Sequence, residues 1–159
     1  MVASADATMS VMAAAAGTNS ASKANAANGD TSVTHGYQVF VNIGCGLCHT
    51  PSLTSGPSSI GGITGTLFHP FSDFQVHHMG TGLDDGVSQG EAGHDEFRSA
   101  PLWGVGQRIY LLHDGRTTDL VQAIKAHASS GSEANGVIQN YNKLSNSDAQ
   151  ALLNMLRGL

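Results

Sequence analysis

Residues 45–49 read Cys-Gly-Leu-Cys-His, and Cys45 and Cys48 are the only 2 cysteines of the 159-residue chain. The pattern C-x-x-C-H is the attachment signature of c-type haem. The chemistry sets the spacing. Each thiol adds to one vinyl group of the porphyrin and forms a thioether. A turn of about one helical repeat brings both sulfurs to one haem edge, and His49 then lies under the iron as the proximal ligand. Spacing alone leaves three other readings open. Half of a zinc site calls for a second Cys or His pair at finger or ribbon spacing. A redox dithiol belongs with the strand–helix unit of a thioredoxin-like fold, which the pattern here does not offer. A five-residue pattern also arises by accident.

Upstream of the motif, Tyr37, Val39, Phe40, Val41 and Ile43 form an apolar patch. Tyr37, Phe40 and Val41 fall at helical spacing, which predicts a short helix leading into Gly44. Downstream, residues 50–66 are rich in Gly, Ser, Thr and Pro and read as loop. Phe68–Val76 is a second apolar patch, broken by Pro70, and Pro101–Leu112 is a third. Between them, residues 80–96 hold five acids, five glycines and no Lys or Arg, the composition of a solvated loop.

Three helices are expected after the third patch. The first starts near Thr117 or Thr118 with Asp119 in its first turn, a good capping arrangement. Leu120, Ile124 and His127 fall on one of its faces. The second covers about Ser132–Leu144, with Val137, Ile138, Tyr141 and Leu144 as its stripe. The third begins at Ser145 or Ser147, with Leu152, Leu153, Leu156 and Leu159 as its stripe. No segment sustains period-two alternation. The fold class is therefore mainly α: a small c-type cytochrome domain with long Gly-rich loops and few or no strands.

Composition narrows the function. Only 12% of residues are charged and the formal net charge is −5, which argues against nucleic acid as a partner. No apolar run approaches the roughly 20 residues that span a bilayer. Eleven of the first thirty residues are Ala, and none is Leu, Ile or aromatic. Such a stretch buries too little apolar surface to offset the entropy of ordering it. Residues 1–32 therefore read as a disordered tail or linker, and 33–159 as one monohaem domain. The start lacks the basic end and apolar centre of a signal peptide.

Three longer stretches carry a resemblance: GCGLCHTPSL at 44–53, HPFSDFQVHHMGTGLDDG at 69–86, and EFRSAPLWGVGQRIYLLHDGRTTDLVQAIKAHASSGSEA at 96–134. In order they give C-x-x-C-H, D-F-x-x-H-x-M-G, F-R-x-x-P-L-W-G and L-H-D-G-R, then a leucine-rich last helix. Over about residues 36–159 the chain resembles the carboxy-terminal haem domain of the di-haem oxidoreductase (thiol oxidoreductase) family. That family is related to the bacterial di-haem cytochrome c peroxidases and the MauG type. One departure is large: there is one C-x-x-C-H, not two.

The resemblance implies one haem c, covalent through Cys45 and Cys48, with His49 as proximal ligand. It places the distal ligand at His127, where the relatives carry Met or Tyr; Met79 is the alternative. Arg98 and Trp103 are candidates for the propionates or the haem edge, and His113 for a turn or a propionate. Leu47, Phe68, Phe71, Leu102, Leu112, Leu120, Ile124 and Leu156 are candidate pocket lining. Two strong ligands close the iron, so the expected function is electron transfer. The alternative is a peroxidase-type oxidoreductase, or one half of it, needing an open iron or a second haem domain. The expected partner is a redox protein or that second haem domain. Haem c maturation implies a periplasmic or extracellular location.

Overall fold

Glycine is the residue that lets the first and last helices of the described residues approach, and it is where the fold begins. The computed structural model describes residues 31–159. The expected tail lies almost wholly in residues 1–30, outside the described residues. Helix α1, Thr31–Ile43, is longer than the short helix expected from Tyr37. Its first turns carry Thr34, His35 and Gly36, which give no apolar stripe to read. A methyl group at Gly36 would collide with the Ala151 carbonyl and with Met155.

The described residues form two units. The first holds residues 31–40, 104–108 and 144–159. Its core is Val39, Phe40, Val105, Ala151, Leu152, Leu153, Met155 and Leu156. The last helix of the chain, Asn146–Arg157, starts where the sequence puts it: the Ser145 hydroxyl caps it, accepting from Asp148 N at 3.1 Å. A single 3-10 turn at Val105–Gln107 packs against that helix. Gly104 N donates to the Leu159 carbonyl at 2.8 Å, and His35 pairs with Asp148 at 2.7 Å.

The second unit holds residues 41–103 and 109–143. It contains four short strands in two antiparallel pairs. Strand β1, Leu53–Thr54, pairs with β2, Leu67–Phe68. Strand β3, Val76–His78, pairs with β4, Glu96–Arg98, in the register Val76↔Arg98, His77↔Phe97, His78↔Glu96. Helix α2 is Leu120–Ala126 and α3 is Asn135–Tyr141; the helix at Asn146–Arg157 is α4. Asp119 is the cap of α2 rather than a member of its first turn, accepting from Val121 N at 2.7 Å and Gln122 N at 3.2 Å. Helix α3 is shorter at both ends than the expected 132–144. With α1 to α4 and only two-stranded ladders among the described residues, the fold is mainly α, with long loops.

Candidate functional site

The motif leaves α1 through Gly44, whose φ of 103° is a backbone state that side chains rarely adopt. A 3-10 turn at Cys45–Leu47 follows, closed by His49 N donating to the Cys45 carbonyl at 2.9 Å. Both cysteines are thus on one tight turn, and both thiols are free. Burial pushes Cys45 up to about 12, and burial with the charges of Asp73 and Glu133 raises Cys48. Thiol–disulfide chemistry runs through thiolates. These two thiols are held as thiols, which disfavours the dithiol reading. Among the described residues no group of three or more His, Cys, Asp and Glu side chains converges as a metal cage, so the zinc reading finds no ligand set.

The imidazoles of His49 and His127 are set the same way. His49 Nδ1–H donates to the Phe71 carbonyl at 3.1 Å. His127, at the end of α2, donates from Nδ1 to the Ala123 carbonyl one turn back at 2.7 Å. A carbonyl only accepts, so each ring carries its proton on Nδ1 and its lone pair on Nε2. Burial lowers the pKa of both rings; for His49 the Phe71 carbonyl opposes that, and the neighbouring His127 adds to it. Both rings are therefore neutral near pH 7, the form that ligates a metal.

Their separation tests whether a haem fits. The two ring centroids are 6.4 Å apart, with planes inclined at 59°. A metal–imidazole bond is about 2 Å, and nitrogen to ring centroid adds roughly 1 Å, so an iron between two imidazoles sets the centroids about 6 Å apart. The observed gap is close to that figure, and it also lies within the range of about 4.5–7 Å of an ordinary tilted ring pair. The residues present fit the group: His49 and His127 would hold its iron through their free ring nitrogens, and Cys45 and Cys48 on the turn beside His49 would supply the thiols.

Several residues that build this pair were not among the sequence candidates. Asp73 N donates to the Cys48 carbonyl and Ser72 N to the Thr50 carbonyl, each at 2.9 Å, so the segment Pro70–Phe74 is stitched along the motif. On β3, His77 joins that segment to the residues after His127. Its Nε2 meets Asp73 Oδ2 at 3.0 Å and its Nδ1 meets Glu133 Oε2 at 2.9 Å; Cys48 Sγ lies 3.6 Å from Nδ1. Burial alone would lower the pKa of His77, but the bonds to Glu133 and Asp73 outweigh it and raise it. Glu133 is bolted to β3 by main chain too: its N donates to the His78 carbonyl at 2.9 Å. Ser132 Oγ donates to the His127 carbonyl at 2.5 Å. The alternation of D-F-x-x-H put Asp73 and His77 one helical turn apart in sequence, but only the fold brings Glu133 between them and the histidine it follows.

The remaining candidates have other partners. Arg98 is exposed and sits over the Phe74 ring at 5.9 Å. Trp103 is 54% exposed, and its Nε1–H donates to the His69 carbonyl. His113 stacks on Phe97 at 4.0 Å, with Nε2 3.6 Å from Asp85. Met79 is half-buried; its N donates to the Asp95 carbonyl at 2.8 Å and its carbonyl accepts from Ser129 Oγ at 3.0 Å. Of the lining candidates, Phe71 is buried in the unit that holds the histidine pair, Phe68, Leu102, Leu112, Leu120 and Ile124 are half-buried there, and Leu47 is exposed. Leu156 is buried in the core of the other unit.

A family model described as "Di-haem oxidoreductase, putative peroxidase" matches residues 3–159. No curated protein and no solved structure matches the chain.

Proposed function

Because this chain belongs to the di-haem oxidoreductase family, we propose that it carries one c-type haem, bound through Cys45 and Cys48 and closed by His49 and His127, and that it transfers electrons. The observation that carries the reading is the pair of half-buried, neutral imidazoles, each with Nδ1 on a main-chain carbonyl, whose ring centroids are 6.4 Å apart.

When bound, the haem supplies a one-electron couple, and two imidazole ligands favour a lower potential than a histidine–methionine pair. The chain supplies the rest. The Phe71 and Ala123 carbonyls fix the tautomer and turn of each ring and make each a stronger donor. His77, between Asp73 and Glu133, holds the two ligand-bearing segments in register. Burial keeps both imidazoles unprotonated, so neither ligand has to lose a proton before binding. The turn at Cys45–Leu47, with Cys48 as its cap, keeps the two cysteines close in the backbone for thioether formation.

A second haem attached at C-x-x-C-H has no cysteines to use in this sequence, so its source is another polypeptide or segment, which serves as redox partner. Covalent attachment of the haem, as proposed, supports a periplasmic or extracellular location. No helix of the described residues is long and apolar enough to cross a membrane. The family description favours a second reading, a peroxidase or one half of it, which needs an open iron or that second haem.

Absorption spectra of the matured chain, oxidised and reduced, with and without CO, separate the readings. Low-spin bands that ignore CO, without the red band of methionine–sulfur ligation, support the His49–His127 relay. The sulfur band transfers the sixth position to Met79. A high-spin spectrum with ready CO binding supports the peroxidase reading, and absence of covalent haem overturns both.

A further inference from the structure

We propose that Ser72 is the positioning residue of His49: its buried hydroxyl holds the Phe71 carbonyl against the Nδ1 proton of the ligand. The inference rests on the haem reading above and adds what keeps one of its two ligands in orientation.

Ser72 is 0% exposed. Its Oγ lies 2.7 Å from the Ser99 carbonyl and 2.8 Å from Ser99 Oγ, and it accepts from Phe74 N at 2.9 Å. A hydroxyl has one proton. Ser99 Oγ gives its proton to Asp73 Oδ1 at 2.5 Å, so the Ser72 proton is the one shared with Ser99. Ser99 is itself anchored, its N donating to the Gln75 carbonyl at 2.9 Å. The Ser72 side chain therefore ties the loop after the motif to the end of β4.

The backbone on either side explains why a tie is needed. Phe71 has φ 51° and Phe74 has φ 59°, both in the left-handed region that residues other than glycine avoid. Such conformations persist only where the surroundings over-determine them. Main-chain bonds from Ser72 N to Thr50 and from Asp73 N to Cys48 fix the motif side of the loop. Ser72 Oγ fixes the other side and accepts the Phe74 amide. With both sides held, the Phe71 carbonyl stands 3.1 Å from His49 Nδ1. A carbonyl at that nitrogen raises the basicity of the ring and sets its plane. Loss of the Ser72 hydroxyl frees the loop to leave the left-handed state and takes the carbonyl away.

The test uses the matured haem protein and its Ser72→Ala and Ser99→Ala variants. Each is read by mass for covalent haem, by electron paramagnetic resonance of the oxidised state, by redox titration, and by thermal melting. Ser72→Ala is expected to raise the reduction potential, because the ring becomes a weaker donor, and to move the low-spin g values, which report the angle between the two imidazole planes. Ser99→Ala removes a buried hydroxyl from the same patch but leaves the Ser99 carbonyl; it is expected to lower the melting temperature alone. If both variants lower the melting temperature and neither moves the potential or the g values, the inference is overturned.

Should Ser72→Ala not mature, hydrogen exchange in the wild-type protein decides. Each observed rate is divided by the intrinsic rate of that kind of N–H, and the His49 Nδ1 proton and the Phe74 amide are then expected to show the same opening equilibrium within about threefold. A ring proton whose opening equilibrium is more than about tenfold larger than that of the amide overturns the inference. A wild-type protein without low-spin bis-imidazole signals instead overturns the haem reading itself, before any variant is compared.

Discussion

Replacing His127 by alanine tests the axial pair from its distal side. In the chain without haem the change removes one neutral hydrogen bond, Nδ1–H to the Ala123 carbonyl at 2.7 Å, worth about 1 kcal/mol net. Loss of the half-buried ring and the space it leaves adds roughly 1–2 kcal/mol. The sum of about 2–3 kcal/mol lowers the melting temperature by roughly 5–12 °C for a domain of this size. In the matured protein the effect is larger in kind. With one side of the 6.4 Å gap empty, the oxidised spectrum is expected to turn high-spin, the reduced protein to bind CO, and added imidazole to restore the low-spin bands. His127→Ala protein that stays low-spin and refuses CO would refute the assignment. If Met79→Ala then opened the iron, the sixth ligand would be Met79.

The His77 bridge gives a pH dependence. His49 and His127, lowered by burial, favour unfolding in acid, so the cleaner readout is the stability gap between wild type and His77→Gln. His77 is raised, so its contribution is full below its ordinary value of about 6.5 and is lost as pH rises through the raised one; Asp73 and Glu133 are lowered, so theirs is full above about 4.3 and is lost as pH falls through the lowered ones. Melting curves are expected to show the widest gap between about pH 4.5 and 6.5, and a gap that widens from pH 6 to pH 9 would contradict the bridge. Gly36→Ala drives a methyl group into the Ala151 carbonyl, a backbone atom that cannot turn aside; chemical denaturation is expected to show a loss of about 3 kcal/mol or more. Ser145→Ala removes the cap of α4 and is expected to lose about 1 kcal/mol by the same assay, with the spectrum of the bound haem unchanged.

Local signals in the sequence are strong where one residue does one local job. Ser145 caps α4 because a hydroxyl satisfies an orphan amide, and the leucines behind it sit on one face. The C-x-x-C-H turn is legible because thioether chemistry demands that spacing. His127 lay on the apolar side of a helix with a good start, and it ends that helix in the unit of the motif. What the sequence conceals is pairing at a distance. Nothing in the periodicity of residues 69–80 shows that Phe71 would adopt φ 51° and offer its carbonyl to His49. His77 stood among adjacent histidines in a loop-like stretch, and only the β3 register sets it between Asp73 and Glu133. The length of α1 was hidden because Gly36 reads as a helix breaker; against Ala151 it is the residue that lets two helices touch. The two-residue strands β1 and β2 fall below the length at which alternation exists at all.

His49 and His127 are 78 positions apart (127 minus 49), yet the chain's own bonds bring their ring centroids to 6.4 Å. The path can be followed. Cys48 and Thr50 carbonyls hold the loop at Ser72 and Asp73; Asp73 holds His77; His77 holds Glu133; and Ser132, one residue before, holds the His127 carbonyl. The first links are main-chain hydrogen bonds, and the links through Asp73, His77 and Glu133 are between side chains. On the proposed haem reading, a site assembled this way would meet its iron with ligands already oriented, which would limit how far they move when an electron arrives or leaves. That is the property a relay needs, whereas an open peroxidase site needs a sixth position that yields. The same path gives His77 a role that a surface histidine would not have. Its ring touches the motif cysteine, the Asp73 loop and the segment that follows His127, so its protonation is expected to alter how firmly those segments are held together.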